Sequence, residues 1–244
     1  MIKKLILFLL SFFDFFYQKR IIKFLSKKHL TEIETLFDVG GHKGESINLF
    51  LSNLNVKKII SFEPSPLNFT FLKKNRKHYS KKFNKTEILI ENIGLGNVNK
   101  EIDFKQFDES SSSTLKDIDE ESSYFKKKFN LLNFFSKKKK YKILKVKIKT
   151  LENYMDLNNI NKISFLKIDT EGYEYEILKG LRKKIQFVDM IMFEHHYDNM
   201  IKKGYTFTDM NRLLTKNHFK KIYKSRMPFR KTFEYIYERK ESAN

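Results

Sequence analysis

At 244 residues the chain is long enough to bury one α/β core and still carry an insertion or an extra terminal helix. It contains no cysteine, which excludes disulfides, thiolate zinc sites and cysteine nucleophiles together. The formal charge of +20 invites a nucleic-acid reading, yet only seven of the 49 basic residues are arginine, the residue suited to bidentate phosphate and base-edge recognition. The lysines read first as solvated surface, with an anionic partner or membrane surface as the alternative.

Residues 1–30 form an apolar and basic extension. Its run from Leu5 to Phe13 lies between Lys3-Lys4 and Lys19-Arg20 and is interrupted by Asp14. Extended through Tyr17 it still falls short of the roughly 18–20 residues of a spanning helix, and no small-residue cleavage site follows. A helix packed on the domain or on a second subunit is one reading. A helix in residues 1–28 lying on a membrane interface, lysines toward the headgroups, is another; a spanning or signal segment is a third.

From Thr35 short apolar strands alternate with helical periodicity, the pattern of βαβ units on a parallel sheet. Five strands are expected: Thr35–Val39, Lys58–Phe62, Glu87–Ile93, Ser164–Ile168 and Val188–Phe193. Ile47, Phe50, Leu51 and Leu54 mark the buried face of the first helix, Ile177, Leu178 and Leu181 that of a later one, and Met210, Leu213 and Leu214 that of the last. Lys220–Lys224 and Phe233–Tyr237, around a turn with Pro228, predict a closing antiparallel pair, with Phe233, Tyr235 and Tyr237 along one face. Residues 97–142, with runs of like charge, read as an insertion: a surface excursion, or a lid over the strand ends.

Two features carry chemistry. Asp38-Val39-Gly40-Gly41-His42-Lys43-Gly44 ends a strand and opens a helix, so a small charged ligand can sit against backbone N–H groups. The dinucleotide spacing G-x-G-x-x-G fails, because His42 and Glu45 stand where it needs glycine. About twenty residues later, Glu63 ends the second strand in Phe62-Glu63-Pro64-Ser65-Pro66, where a carboxylate can accept both hydroxyls of a ribose.

These motifs, with Ser113-Thr114-Leu115, then Lys167-Ile168-Asp169-Thr170-Glu171-Gly172-Tyr173-Glu174, then Phe193-Glu194, resemble in order those of FkbM-family methyltransferases over residues 35–240. The resemblance implies a Rossmann-like class I sheet, mostly parallel, with a C-terminal antiparallel pair and helices on both faces. It also implies S-adenosylmethionine as cofactor. Gly40, Gly41 and Gly44 then face its methionine side, Glu63 its ribose and Asn92 the adenine edge, while Asp38 supports the loop or the methionine amino group.

Methyl transfer from a sulfonium is an in-line displacement, so the protein must position the acceptor and remove its proton. The candidates close the fourth and fifth strands: Asp169, Glu171, Glu194 and His195. They can act as a base, or Asp169, Glu194 and His195 can hold a divalent cation that polarises the acceptor oxygen. The family resemblance points to O-methylation of a sugar, glycan or other small-molecule hydroxyl; the lack of cysteine suits a cytoplasmic location, with peripheral membrane contact through residues 1–28 as the alternative. An RNA methyltransferase is a competing expectation; against it stands the absence of an Asn-Pro-Pro-Tyr-like base-flipping motif. A non-catalytic nucleotide-binding protein on the same fold is the third.

Overall fold

The computed structural model describes residues 2–27, 32–107, 113–123, 125–126 and 141–240. The lysine run at 137–140, part of that at 126–128 and most of the serine run at 110–113 lie outside them.

A helix, α1 (Ile2–Lys27), precedes a βαβ succession: β1 (Ile33–Val39), α2 (Glu45–Leu51), β2 (Val56–Phe62), α3 (Pro66–Lys82) and β3 (Glu87–Glu91). Each boundary has a local cause. Gly44 starts α2 from φ +96, open to glycine at little cost. Ser65 caps α3 by accepting from Asn68 N, with Pro66 in the first turn, where no amide donor is needed.

Residues 94–150 carry β4 (Gly94–Gly96), β5 (Lys100–Phe107), β6 (Asp117–Ile118) and β7 (Tyr141–Thr150). β4, β7 and β5 form a small separate sheet, with Phe104, Val146 and Ile148 as its core. The stretch expected as an excursion at 97–142 is therefore bracketed by paired strands, and it begins earlier and ends later. The chain returns through α4 (Leu151–Leu157), β8 (Ile163–Ile168), α5 (Glu174–Lys179) and a 3-10 turn (Arg182–Phe187). It finishes with β9 (Val188–His196), β10 (Ile201–Lys202), α6 (Phe207–Lys216), β11 (Phe219–Arg226) and β12 (Thr232–Arg239). A capping box between Thr206 and Asp209 starts α6.

The main sheet has the order β11-β12-β9-β8-β1-β2-β3, parallel from β3 to β9, with β12 antiparallel to both β9 and β11. Central strands covered on both faces read as continuous apolar runs, as Leu36-Phe37 and Phe165-Leu166 do. The chain leaves β1 toward β2 on one side and places β8 on the other, so a crevice opens at the carboxyl ends of β1 and β8. One sheet face packs Phe37, Phe62, Ile177, Phe193, Tyr235 and Tyr237, while the other packs Leu36, Ile47, Phe50, Phe165 and Ile236.

The second half of α1 belongs to that second face. Tyr17, Ile21, Ile22 and Leu25 are buried in it, Tyr17 Oη donates to Ser225 O at 3.1 Å, and Asp14 pairs with Arg230 at 2.8 Å. Among the described residues no helix is long and apolar enough to cross a membrane.

Candidate active site

One cavity of about 780 Å³ opens along the carboxyl ends of the parallel strands. Its floor is the turn after β1. Gly40 and Gly41 N–H groups both donate to Phe62 O at 3.0 Å, folding the turn back over β2. At Gly40, φ is +84 and an added Cβ would lie 1.8 Å from the Asp169 carbonyl; at Gly41 it would lie 1.9 Å from Ser61 Oγ. Only glycine lets the two loops approach this closely.

Asp38 is fully buried under that turn and does not line the cavity. Its Oδ2 accepts from Ser46 Oγ (2.7 Å) and Ser61 Oγ (2.8 Å), and Lys167 Nζ stands 3.1 Å from its Oδ1. Of the two roles expected for Asp38, the geometry assigns loop support.

Glu63 lines the cavity, with Oε2 accepting from His42 N at 2.8 Å and Oε1 from Ser65 N at 2.9 Å. Burial disfavours its charge more than these donors favour it, so its pKa is pushed up to about 7. Asn92 is placed otherwise than expected. Its side chain is exposed outside the cavity, and its amide donates to Glu63 O at 2.8 Å, bracing the turn after β2. Gly94 and Leu95 line the wall in its place.

At the other end stand Asp169, Glu171, Glu194 and His196. Strand alternation decides between the two histidines: Glu194 and His196 share one face of β9, and His195 points to the other. There the His195 ring packs against Tyr197, Tyr205 and Phe207, and burial lowers its pKa to about 3. The expectation that His195 helps the acids is thus corrected to His196. His196 Nε2 lies 3.3 Å from both Glu171 Oε2 and Glu194 Oε1, and Thr232 Oγ1 is 3.2 Å from its Nδ1. Burial opposes its charge, but Glu171, Asp198 and Glu194 outweigh it and raise its pKa to about 10. Glu194 is raised well above the ordinary carboxylate range by burial and then by Asp169.

Three residues of this end did not figure among the sequence candidates. Lys167 Nζ bridges Asp38 and Asp169, at 3.1 and 3.4 Å. Glu234 on β12 lines the cavity, and burial with Asp169 nearby lifts its pKa to about 8. Glu174 gathers the turn after β8: its Oε1 accepts from Thr170 N, Thr170 Oγ1 and Gly172 N, and Tyr205 Oη donates to its Oε2. That turn holds Glu171 at φ +51 and Gly172 at φ +97. Thr114 Oγ1 donates to Glu171 O at 2.7 Å, docking the Ser113-Thr114-Leu115 segment so that Ser113 and Leu115 line the cavity.

Among the described residues no group of three or more His, Asp or Glu is arranged to hold a metal ion. The proposed ligand set fails because His195 faces away and Asp169 is drawn toward Lys167.

The FkbM methyltransferase domain model matches residues 38–221. The chain belongs to the FkbM methyltransferase family. Among solved structures, this FkbM domain is similar to methyltransferase FkbM from Methylobacillus flagellatus KT, at 14% identity and TM-score 0.55, over 84% of this chain and 43% of that one. It therefore spans less than half the length of that relative. It is also similar to magnesium protoporphyrin IX methyltransferase from Synechocystis PCC 6803 with bound SAM, at 7% identity and TM-score 0.52, over 92% and 78% of the two chains. At these identities the likeness is one of fold, the class I methyltransferase sheet. A comparison with curated proteins gives no significant match.

Proposed function

We propose that this chain transfers a methyl group from S-adenosylmethionine to a hydroxyl oxygen of a small molecule or glycan. The observation that carries the reading is the continuity of the cavity, from the glycine turn and Glu63 to Asp169, Glu171, Glu194 and His196.

The residues at the first end fit the cofactor. Each Glu63 oxygen takes one backbone donor and keeps acceptor capacity for one hydroxyl of a vicinal diol. Asn68 Oδ1, in the same wall, is buried and finds no hydrogen-bond partner among the described residues, a state that a ligand donor relieves. Glu63 would hold the ribose, and Gly40 and Gly41 would leave room for the methionine side; Gly44, expected beside them, lies outside the cavity lining, packed near Leu72 and Tyr79, and serves to start α2. When bound, S-adenosylmethionine supplies a methyl group on a positively charged sulfur.

The protein's own share is orientation and proton removal. Glu194 has a raised proton affinity and lines the cavity, so its carboxylate takes the acceptor's hydroxyl proton. His196, cationic at neutral pH, offsets the negative charges of Glu171 and Glu194 and keeps both carboxylates in place. Lys167 does the same for Asp169, which orients the acceptor. Phe104 of the inserted sheet, with Ser113 and Leu115 of the segment that follows it, lines the cavity and reduces access of water.

The test is to incubate the protein with methyl-labelled S-adenosylmethionine and a cell extract fractionated into carbohydrate, small-molecule, protein and RNA pools. Label in a base-stable ether of a carbohydrate or small molecule is expected. Label confined to RNA or protein would sink the acceptor class, and no binding of S-adenosylhomocysteine by calorimetry would sink the cofactor.

A further inference from the structure

α1 commits one face to the domain and leaves another to solvent. Tyr17, Ile21 and Leu25, four residues apart, are buried against the sheet. On the other side Phe13, Phe16, Arg20, Lys23 and Lys27 follow alternating steps of three and four, so they form one stripe along the helix. All five are exposed, Phe13 to 38% and Phe16 to 50%. Upstream, the same helix has the sequence Leu5-Ile6-Leu7-Phe8-Leu9-Leu10, without a polar residue.

The stripe meets the turn between β11 and β12. Phe229 lies edge-on to Phe13 with ring centroids 5.0 Å apart, yet it is 74% exposed. Its φ is +60, a strained conformation that bulky side chains rarely adopt. The domain core gains little from this ring. Arg226 and Lys231, both exposed, flank it. The Asp14–Arg230 ion pair and the Tyr17–Ser225 hydrogen bond fasten turn to helix, so the three aromatic rings move as one body.

Exposed aromatic rings beside long cationic side chains match the boundary between acyl chains and headgroups: rings enter the apolar side while lysine and arginine reach back to phosphate. We infer that this rim, Phe13, Phe16 and Phe229 with Arg20, Lys23 and Lys27, docks the protein on an anionic lipid surface. Charge complementarity selects this occupant. A second copy of the chain would bring the same cationic stripe, and the same net charge of +20, against itself.

The 244-residue chain is sedimented with vesicles of phosphatidylcholine containing phosphatidylglycerol, and with vesicles of phosphatidylcholine alone. It is expected to sediment with the first, less so as salt is raised, and to remain largely in the supernatant with the second. Phe16→Ser and Phe229→Ser should each weaken partition about tenfold, from the apolar area no longer buried. Arg20→Ala, Lys23→Ala and Lys27→Ala together should cost roughly a hundredfold. These side chains are exposed, so the melting temperature checks that each variant is folded. Supernatant-only wild type with anionic vesicles, or aromatic variants that sediment like wild type, would overturn the inference. So would a wild-type dimer on size-exclusion chromatography that Phe16→Ser with Phe229→Ser converts to monomer, which would assign the rim to a second copy. An RNA gel shift abolished by the same variants, with no vesicle binding, would assign it to RNA.

Discussion

Glu63 is held in a burial that disfavours its charge and among amide donors that favour it, which leaves its pKa at about 7. A ribose donating two hydroxyls stabilises the ionised form, so binding and deprotonation are coupled. Affinity for S-adenosylhomocysteine should therefore rise with pH through 7, approaching about tenfold per unit on the acid side. Glu63→Gln should lose that pH dependence and bind at least about tenfold more weakly, because a charge-assisted hydrogen bond is worth roughly 1.5–3 kcal/mol. Calorimetry across the range checks both, and a variant with unchanged affinity would remove Glu63 from the cofactor site. At the other end Glu194→Gln keeps the shape of the side chain and removes the base. Its methylation rate should fall by roughly a hundredfold or more, with affinity for S-adenosylhomocysteine within about twofold of wild type. A loss of only a few-fold would leave Glu194 a structural carboxylate. The exchange of His195 for His196 was open to sequence reasoning, since residues two apart share a strand face and Glu194 was already a candidate. What hid it was the expected end of the fifth strand at Phe193, three residues before β9 stops.

At the scale of elements, the parallel strands declared themselves because burial on both faces leaves uninterrupted apolar runs, and the closing pair did so through the alternation of Phe233, Tyr235 and Tyr237. β7 carried a comparable signal that went unread: Val146, Ile148 and Thr150 are buried and alternate with Lys145, Lys147 and Lys149. Its partners β4 and β5 lie more than thirty residues away in sequence, and such pairing has no local signature. The orientation of α1 was unreadable for another reason. An apolar helix with lysines at its ends suits a lipid surface as well as a protein core, and only the docked positions Tyr17, Ile21 and Leu25 reveal which face of its second half the domain takes. Leu25→Ala should then cost about 2–5 kcal/mol in urea unfolding, the usual range for emptying a fully buried leucine site. A cost below about 1 kcal/mol would mean that the helix does not dock in solution.

For the whole molecule, the buried ionisable groups of the cavity act on stability in one direction. Glu63 and Glu234 have folded pKa values of about 7 and about 8, and His196 of about 10, each above its ordinary value. A group raised in this way contributes stability that is complete below its unfolded pKa and is lost as pH climbs through the folded one. The three windows together run from about 4.5 to about 10, so the melting temperature should decline steadily from about pH 6 to about pH 9. Glu234→Gln should flatten the part of that decline near pH 8, and a profile that instead rises over this range would refute the assignment. The docking of α1 joins the first element of the chain to the last two: Asp14 pairs with Arg230 and Tyr17 with Ser225, across 216 and 208 residues. A ribosome adds roughly 5–20 residues per second. The apolar helix therefore emerges before the strands it docks on and waits on the order of ten seconds or more, through the synthesis of the rest of the domain, before its binding face exists. Throughout that interval its leucines and phenylalanines are available to chaperones or to a nearby bilayer, so the order of synthesis lets α1 find its surroundings before the domain has folded.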